Sequence, residues 1–128
     1  MVTCNIMDAI REGDFDSAPN KPVTLEIKIH NQFRQALVDT GAQISCIKSS
    51  TAKSLMMGHL IDSDHAGVMQ GVGTQKFIGK IHLVRFELEG IPVCKEFYVL
   101  DQMPAEIVIG IVYHKKIKFH IFLKTGTI

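Results

Sequence analysis

The stretch that decides the fold is Ala36-Leu37-Val38-Asp39-Thr40-Gly41-Ala42. An apolar run leads straight into an aspartate, a hydroxyl residue and a glycine. A carboxylate at the end of an apolar strand is costly unless hydrogen bonds hold its charge. The Thr40 hydroxyl and main-chain N–H groups of a turn at Gly41 can supply those bonds, and Gly41 lets the backbone approach closely. The competing reading is a surface turn, because Asp, Thr and Gly are common turn residues.

Upstream of this stretch, Val23, Leu25, Ile27 and Ile29 alternate with Thr24, Glu26, Lys28 and His30. That is the period of a half-buried strand. A turn at Asn31-Gln32 and a return strand over 33–38 would deliver the chain to Asp39. Downstream, Ser49-Ser50-Thr51 offers hydroxyl N-caps for a short helix with Ala52, Leu55 and Met56 on its apolar face, closed by Gly58. Gly67, Gly71, Gly73 and Gly79 are too many for a packed helix or strand, so residues 67–79 read as a mobile loop flanked by strands. Strands are expected over 81–88, with Val84, Phe86 and Leu88 on one face, over 93–100 and over 106–109, the last ending at Gly110. Turns fall at Glu89-Gly90-Ile91-Pro92 and over 101–104. A helical turn over 113–116 precedes a last strand, in which Ile117, Phe119, Ile121 and Leu123 alternate. Many short strands joined by turns predict an all-β closed barrel or sandwich with one or two short helices.

The bulk numbers fit one domain. The chain has 128 residues, 46% of them hydrophobic, with a net charge of +1 from 14 basic and 13 acidic residues. Residues 1–21 read as a loosely ordered arm with a helical turn over 6–10, and 22–128 as the domain. No basic patch points to nucleic acid. No apolar run reaches the roughly 20 residues of a membrane span, and the N-terminus lacks the pattern of a secretory signal. The odd, widely spaced Cys4, Cys46 and Cys94 form no disulfide framework, which suits a reducing cytoplasmic setting.

Two carboxylates that share a proton can hydrolyse a peptide bond. The ionised one takes a proton from water, and the protonated one polarises the scissile carbonyl. This chain carries one Asp-Thr-Gly, so a twofold homodimer would place Asp39 beside its symmetry mate. At this point a resemblance enters. Leu37-Val38-Asp39-Thr40-Gly41-Ala42 resembles the retropepsin motif. The run from Ala66 to His82, with Gly71-Val72-Gly73-Thr74-Gln75 at its centre, resembles the flap of the DNA-damage-inducible protein 1 family, and Pro104-Ala105-Glu106-Ile107-Val108-Ile109-Gly110 resembles that family's apolar segment. The order and spacing of these blocks agree over about residues 23–128.

The resemblance implies a homodimeric aspartic endopeptidase with Asp39 of each chain at a shared floor. Thr40 would brace the dyad, and Gly41 and Ala42 would support the site and bind the substrate backbone. Gly71, Val72 and Gly73 would close over a peptide, and Ile109 either lines the groove or is plain core. It also implies peptide or unfolded, ubiquitinated protein substrates, a link to the ubiquitin–proteasome pathway, and no cofactor or metal. The chain departs from the family at Val112, where an aspartate is common, and at His65, where a large aromatic is usual. It also carries no ubiquitin-like or ubiquitin-associated segment. The rival reading is a catalytically silent dimerisation or peptide-binding module on the same fold; a third is a monomeric β-domain without a site.

Other motifs fail. The Gly73–Gly79 spacing is one residue too long for a phosphate loop, and Lys76 occupies the third glycine position of a dinucleotide fingerprint. None of the histidines 30, 59, 65, 82, 114 and 120 forms a close ligand pair with Cys46 or Cys94, which argues against zinc. Cys46 reads as a small core residue.

Overall fold

A computed structural model describes residues 23–39, 42–71, 73–111 and 114–125. The elements are β1 (Val23–Ile29), β2 (Gln32–Asp39), β3 (Cys46–Lys48), α1 (Ser49–Ser54), β4 (Gly67–Gly71), β5 (Gly73–Phe77), β6 (Gly79–Leu88), β7 (Ile91–Leu100), β8 (Ile107–Gly110) and α2 (Lys115–Thr125). Two single-turn 3-10 helices, Gly58–Leu60 and Ser63–His65, bridge α1 to β4. Six strands close a barrel in the order β1-β2-β8-β3-β7-β6, and β4 pairs with β5 alone. The all-β closed barrel is therefore present.

Alternation explains the interior. Leu25, Ile27, Ile29, Ala36, Val38, Val84, Phe86, Leu88, Phe97, Val99, Ile107 and Ile109 all join one buried cluster. The turns lie where backbone chirality permits them. His30 and Asn31 both have positive φ, as do Glu89 and Gly90. Both are two-residue connections whose twist matches the flanking strands. The first turn therefore sits one residue earlier than Asn31-Gln32, and Gln32 already pairs with Ile29. Ile91 and Pro92 lie in β7 rather than in the second turn.

Three further expectations are corrected. The serines that open α1 do not cap it: Lys48 is the N-cap, with no side-chain bond. Ser49 Oγ instead donates to Asp101 Oδ1 at 2.6 Å, and Thr51 Oγ1 to Glu106 Oε1 at 3.2 Å, pinning the loop that feeds β8. The helix is closed not by Gly58 but by Met56, which follows the C-cap Leu55, takes φ 64 and is 70% exposed. Met57 N–H bonds Ala52 O and Met56 N–H bonds Lys53 O, the paired closure of a Schellman turn. Residues 67–77 form an antiparallel ribbon rather than an open loop, because the glycines fall at paired positions, Gly67 opposite Phe77 and Gly71 opposite Gly73. The last segment is the helix α2, not a strand: Ile117 and Ile121, four residues apart, are buried, whereas Phe119 and Leu123 are exposed. No helix among the described residues is long and apolar enough to cross a membrane.

Candidate active site

The site is built by the way the chain leaves β2. Strand β2 runs parallel to β8, with Leu37, Val38 and Asp39 opposite Val108, Ile109 and Gly110. The chain then loops out and returns as β3, which runs antiparallel on the other side of β8. The connection must therefore cross the end of β8, and it crosses at Gly110. A Cβ at Gly110 would lie 2.6 Å from the Ala42 carbonyl oxygen and nearer still to that of Ile44. Glycine is required there because main-chain atoms occupy the space. The crossing is fastened by Gly110 N–H donating to the buried Ser45 Oγ at 3.1 Å, and by Tyr98 N–H donating to Ser45 O at 2.9 Å. Ser45 is 2% exposed, and its role was missed because a lone serine carries no sequence signal. Asp39 thus ends a strand whose partner strand ends beside it, at the mouth of a clamped loop.

Ala42 belongs to a second apolar cluster outside the barrel, with Cys46, Leu100, Met103 and Val108, and with Phe77 and Tyr98 packed against it. Phe77 meets Tyr98 edge-on, with ring centroids 4.9 Å apart. The loop after Asp39 and the base of the β4–β5 ribbon therefore rest on one patch of core. Gly71 and Gly73 pair at the ribbon's end. Ile109 is fully buried in the barrel core, the second of its two readings. Thr40, Gly41, Val72 and Val112 lie outside the described residues, as do Cys4 and the arm over 1–21. Cys46 is buried core, and Cys94 is exposed.

A cavity of about 200 Å3 beside the loop is lined by Gln43, Ile44, Ser45, Lys95, Glu96 and Tyr98 among others. Burial lowers the Lys95 pKa below the ordinary lysine value, with Glu96 pulling weakly the other way. Lys80 is raised, chiefly by its 2.7 Å contact with Glu96. A larger cavity of about 500 Å3 lies around His30, Asn31 and Arg85, at the turn end of the β1–β2 hairpin. Asp39 stands at that hairpin's opposite end, so this cavity is not the site.

Comparison with known proteins places the chain in a class. The family model for aspartyl proteases matches residues 21–122, and the chain belongs to that family. Within it, the similarity is to DDI1 proteins. The chain is 33% identical over 104 residues to Protein DDI1 homolog 2 of Mus musculus and 30% identical over 107 residues to Protein DDI1 homolog 1 of Homo sapiens, matches that cover 81% and 84% of this chain. The chain spans about a quarter of the length of these relatives, 26% and 27%. The retroviral protease-like domain of Ddi1 from Leishmania major superposes with a TM-score of 0.61 at 26% identity, over 74% of this chain and 76% of that one. The fold is thus the retropepsin-like one that the three sequence blocks imply.

Proposed function

We propose that this domain is an aspartic endopeptidase whose catalytic dyad is Asp39 and the Asp39 of a second copy. The observation that carries the reading is the position of Asp39, at the end of β2 opposite Gly110, in a chain that the aspartyl protease model matches along most of its length. One carboxylate would deprotonate a water molecule, and the other, holding the shared proton, would polarise the scissile carbonyl. Thr40, Gly41 and Ala42 would support the dyad and hold the substrate backbone, and the β4–β5 ribbon, through Gly71, Val72 and Gly73, would close over an extended peptide.

Two features support a homodimer. The chain holds a single Asp-Thr-Gly. Helix α2 leaves Phe119, Phe122 and Leu123 exposed at 60%, 44% and 67%, an apolar face fit for burial against another chain. The substrates we propose are peptides and unfolded proteins, ubiquitinated ones among them, in the cytoplasm. The test is cleavage of a diverse peptide library from about pH 4 to 7 by the wild type and by Asp39→Asn. Products from the wild type alone support the endopeptidase. A dimer that cleaves nothing favours a peptide-binding module.

A further inference from the structure

At the root of the β4–β5 ribbon three side chains that suit a metal ion converge. Asp62 Oδ2 lies 2.8 Å from His82 Nε2 and 3.5 Å from His65 Nε2. The ligand atoms of all three residues lie within 4.8 Å of one another. The two imidazoles meet edge-on, with ring centroids 4.8 Å apart.

The surrounding structure holds the cluster in place. A β-bulge interrupts β6: Ile81 pairs with Phe97 but Val84 with Lys95, so β6 carries one residue more than β7 over this stretch. Counting back by twos from the buried Val84, His82 would face the core. The extra residue turns Ile81 inward and His82 outward, toward Asp62. Asp62 is fixed through its main chain, which exchanges two hydrogen bonds with Lys80 at 2.9 and 3.1 Å. Its Oδ1 accepts from Asp64 N–H at 3.0 Å, which leaves Oδ2 for the histidines. The nearby Lys80 ammonium is occupied by Glu96.

We propose that Asp62, His65 and His82 bind a divalent transition ion of the zinc type. Two imidazoles and one carboxylate suit zinc rather than magnesium or calcium, which favour oxygen ligands. Zinc bonds of about 2.0–2.2 Å in a tetrahedron set ligand atoms about 3.3 Å apart. The 3.5 Å pair already fits. The 2.8 Å pair opens, and the two histidine nitrogens, within 4.8 Å of each other, draw together, by side-chain rotations that are cheap because His65 and His82 are about half exposed. Water takes the fourth position. Asp62 and His65 precede the ribbon and His82 follows it, so the ion clamps the ribbon's two feet together.

The experiment is calorimetric titration of the untagged chain with Zn2+, beside the exposed variants His65→Ala and His82→Ala and the control His59→Ala. The expected result is one ion per chain, binding weakened at least about tenfold in each of the first two variants and unchanged in the third. Zinc should also raise the thermal midpoint of the wild type and not that of His82→Ala. A chain that binds no zinc, or binds it equally well without His82, overturns the proposal and leaves only an Asp–His hydrogen bond.

Discussion

Replacing Gly110 with alanine tests whether the loop after Asp39 is seated on β8. The new methyl carbon would stand 2.6 Å from the Ala42 carbonyl oxygen and 2.9 Å from its carbon. Both are main-chain atoms, so no side-chain tip can swing aside. Overpacking of this kind costs about 1–3 kcal/mol. Moving the loop also stretches the bond from Gly110 N–H to Ser45 Oγ, and a buried donor left unsatisfied adds about 1–3 kcal/mol. The sum is roughly 2–6 kcal/mol. With a urea m-value of about 2 kcal/mol per molar, the unfolding midpoint should fall by about 1–3 M. Gly90→Ala is the comparison. Nothing lies within 4 Å of its methyl position, but φ is +82, and that strain costs only about 1–2 kcal/mol. A Gly110→Ala midpoint within about 0.3 M of the wild type, or a Gly90→Ala loss equally large, would refute the crossing-loop account.

Other outcomes follow from the same geometry. Ser45→Ala should lose about 1–3 kcal/mol in urea unfolding, because Gly110 N–H is left buried without its acceptor. At a dilution where the chain is monomeric by mass, Ile121→Ala should lose about 2–4 kcal/mol while Phe119→Ser stays within about 0.5 kcal/mol; comparable losses in the monomer would mean that residues 117–123 alternate as a strand. Lys95 predicts a pH dependence. Burial lowers its pKa in the folded chain, so the unfolded chain keeps the proton to higher pH, up to about 10.4. Stability therefore rises with pH across that window, and the penalty is full below it. Lys95→Met should be more stable than the wild type at pH 7, and urea midpoints should show that advantage shrinking toward pH 10.5; a constant advantage would contradict the assignment.

Much of this was legible in the chain. Alternation over 23–29 and at Val84, Phe86 and Leu88 placed the barrel strands, because one face of each is buried and a period of two is then unavoidable. The approach of an apolar strand to Asp39 was equally plain. The rest failed for identifiable reasons. Apolar residues at 117, 119, 121 and 123 satisfy both the two-residue period and the four-residue helical spacing, and only packing of Ile117 and Ile121 on the core decides between them. The glycines over 67–79 weaken a strand but do not forbid a ribbon in which they face one another or a ring. Ser49 and Thr51 found acceptors 52 and 55 residues away, which no local capping rule anticipates. The grouping of Asp62, His65 and His82 contains no histidine–cysteine pair, the pattern by which a zinc site is most legible in a sequence. Its signal was the three-residue step from Asp62 to His65, with His82 just beyond the glycine-rich segment, and it depends on the β6 bulge.

The central claim is that each chain supplies one of two catalytic aspartates, and mixing tests it directly. Wild-type chain is blended with Asp39→Asn at constant total concentration, with the dimer confirmed by mass, and peptide cleavage is followed after exchange. If both carboxylates of a dimer are required, activity falls as the square of the wild-type fraction, to about one quarter in an equal mixture. A linear fall, to about one half, would show that one chain suffices and would contradict the shared dyad.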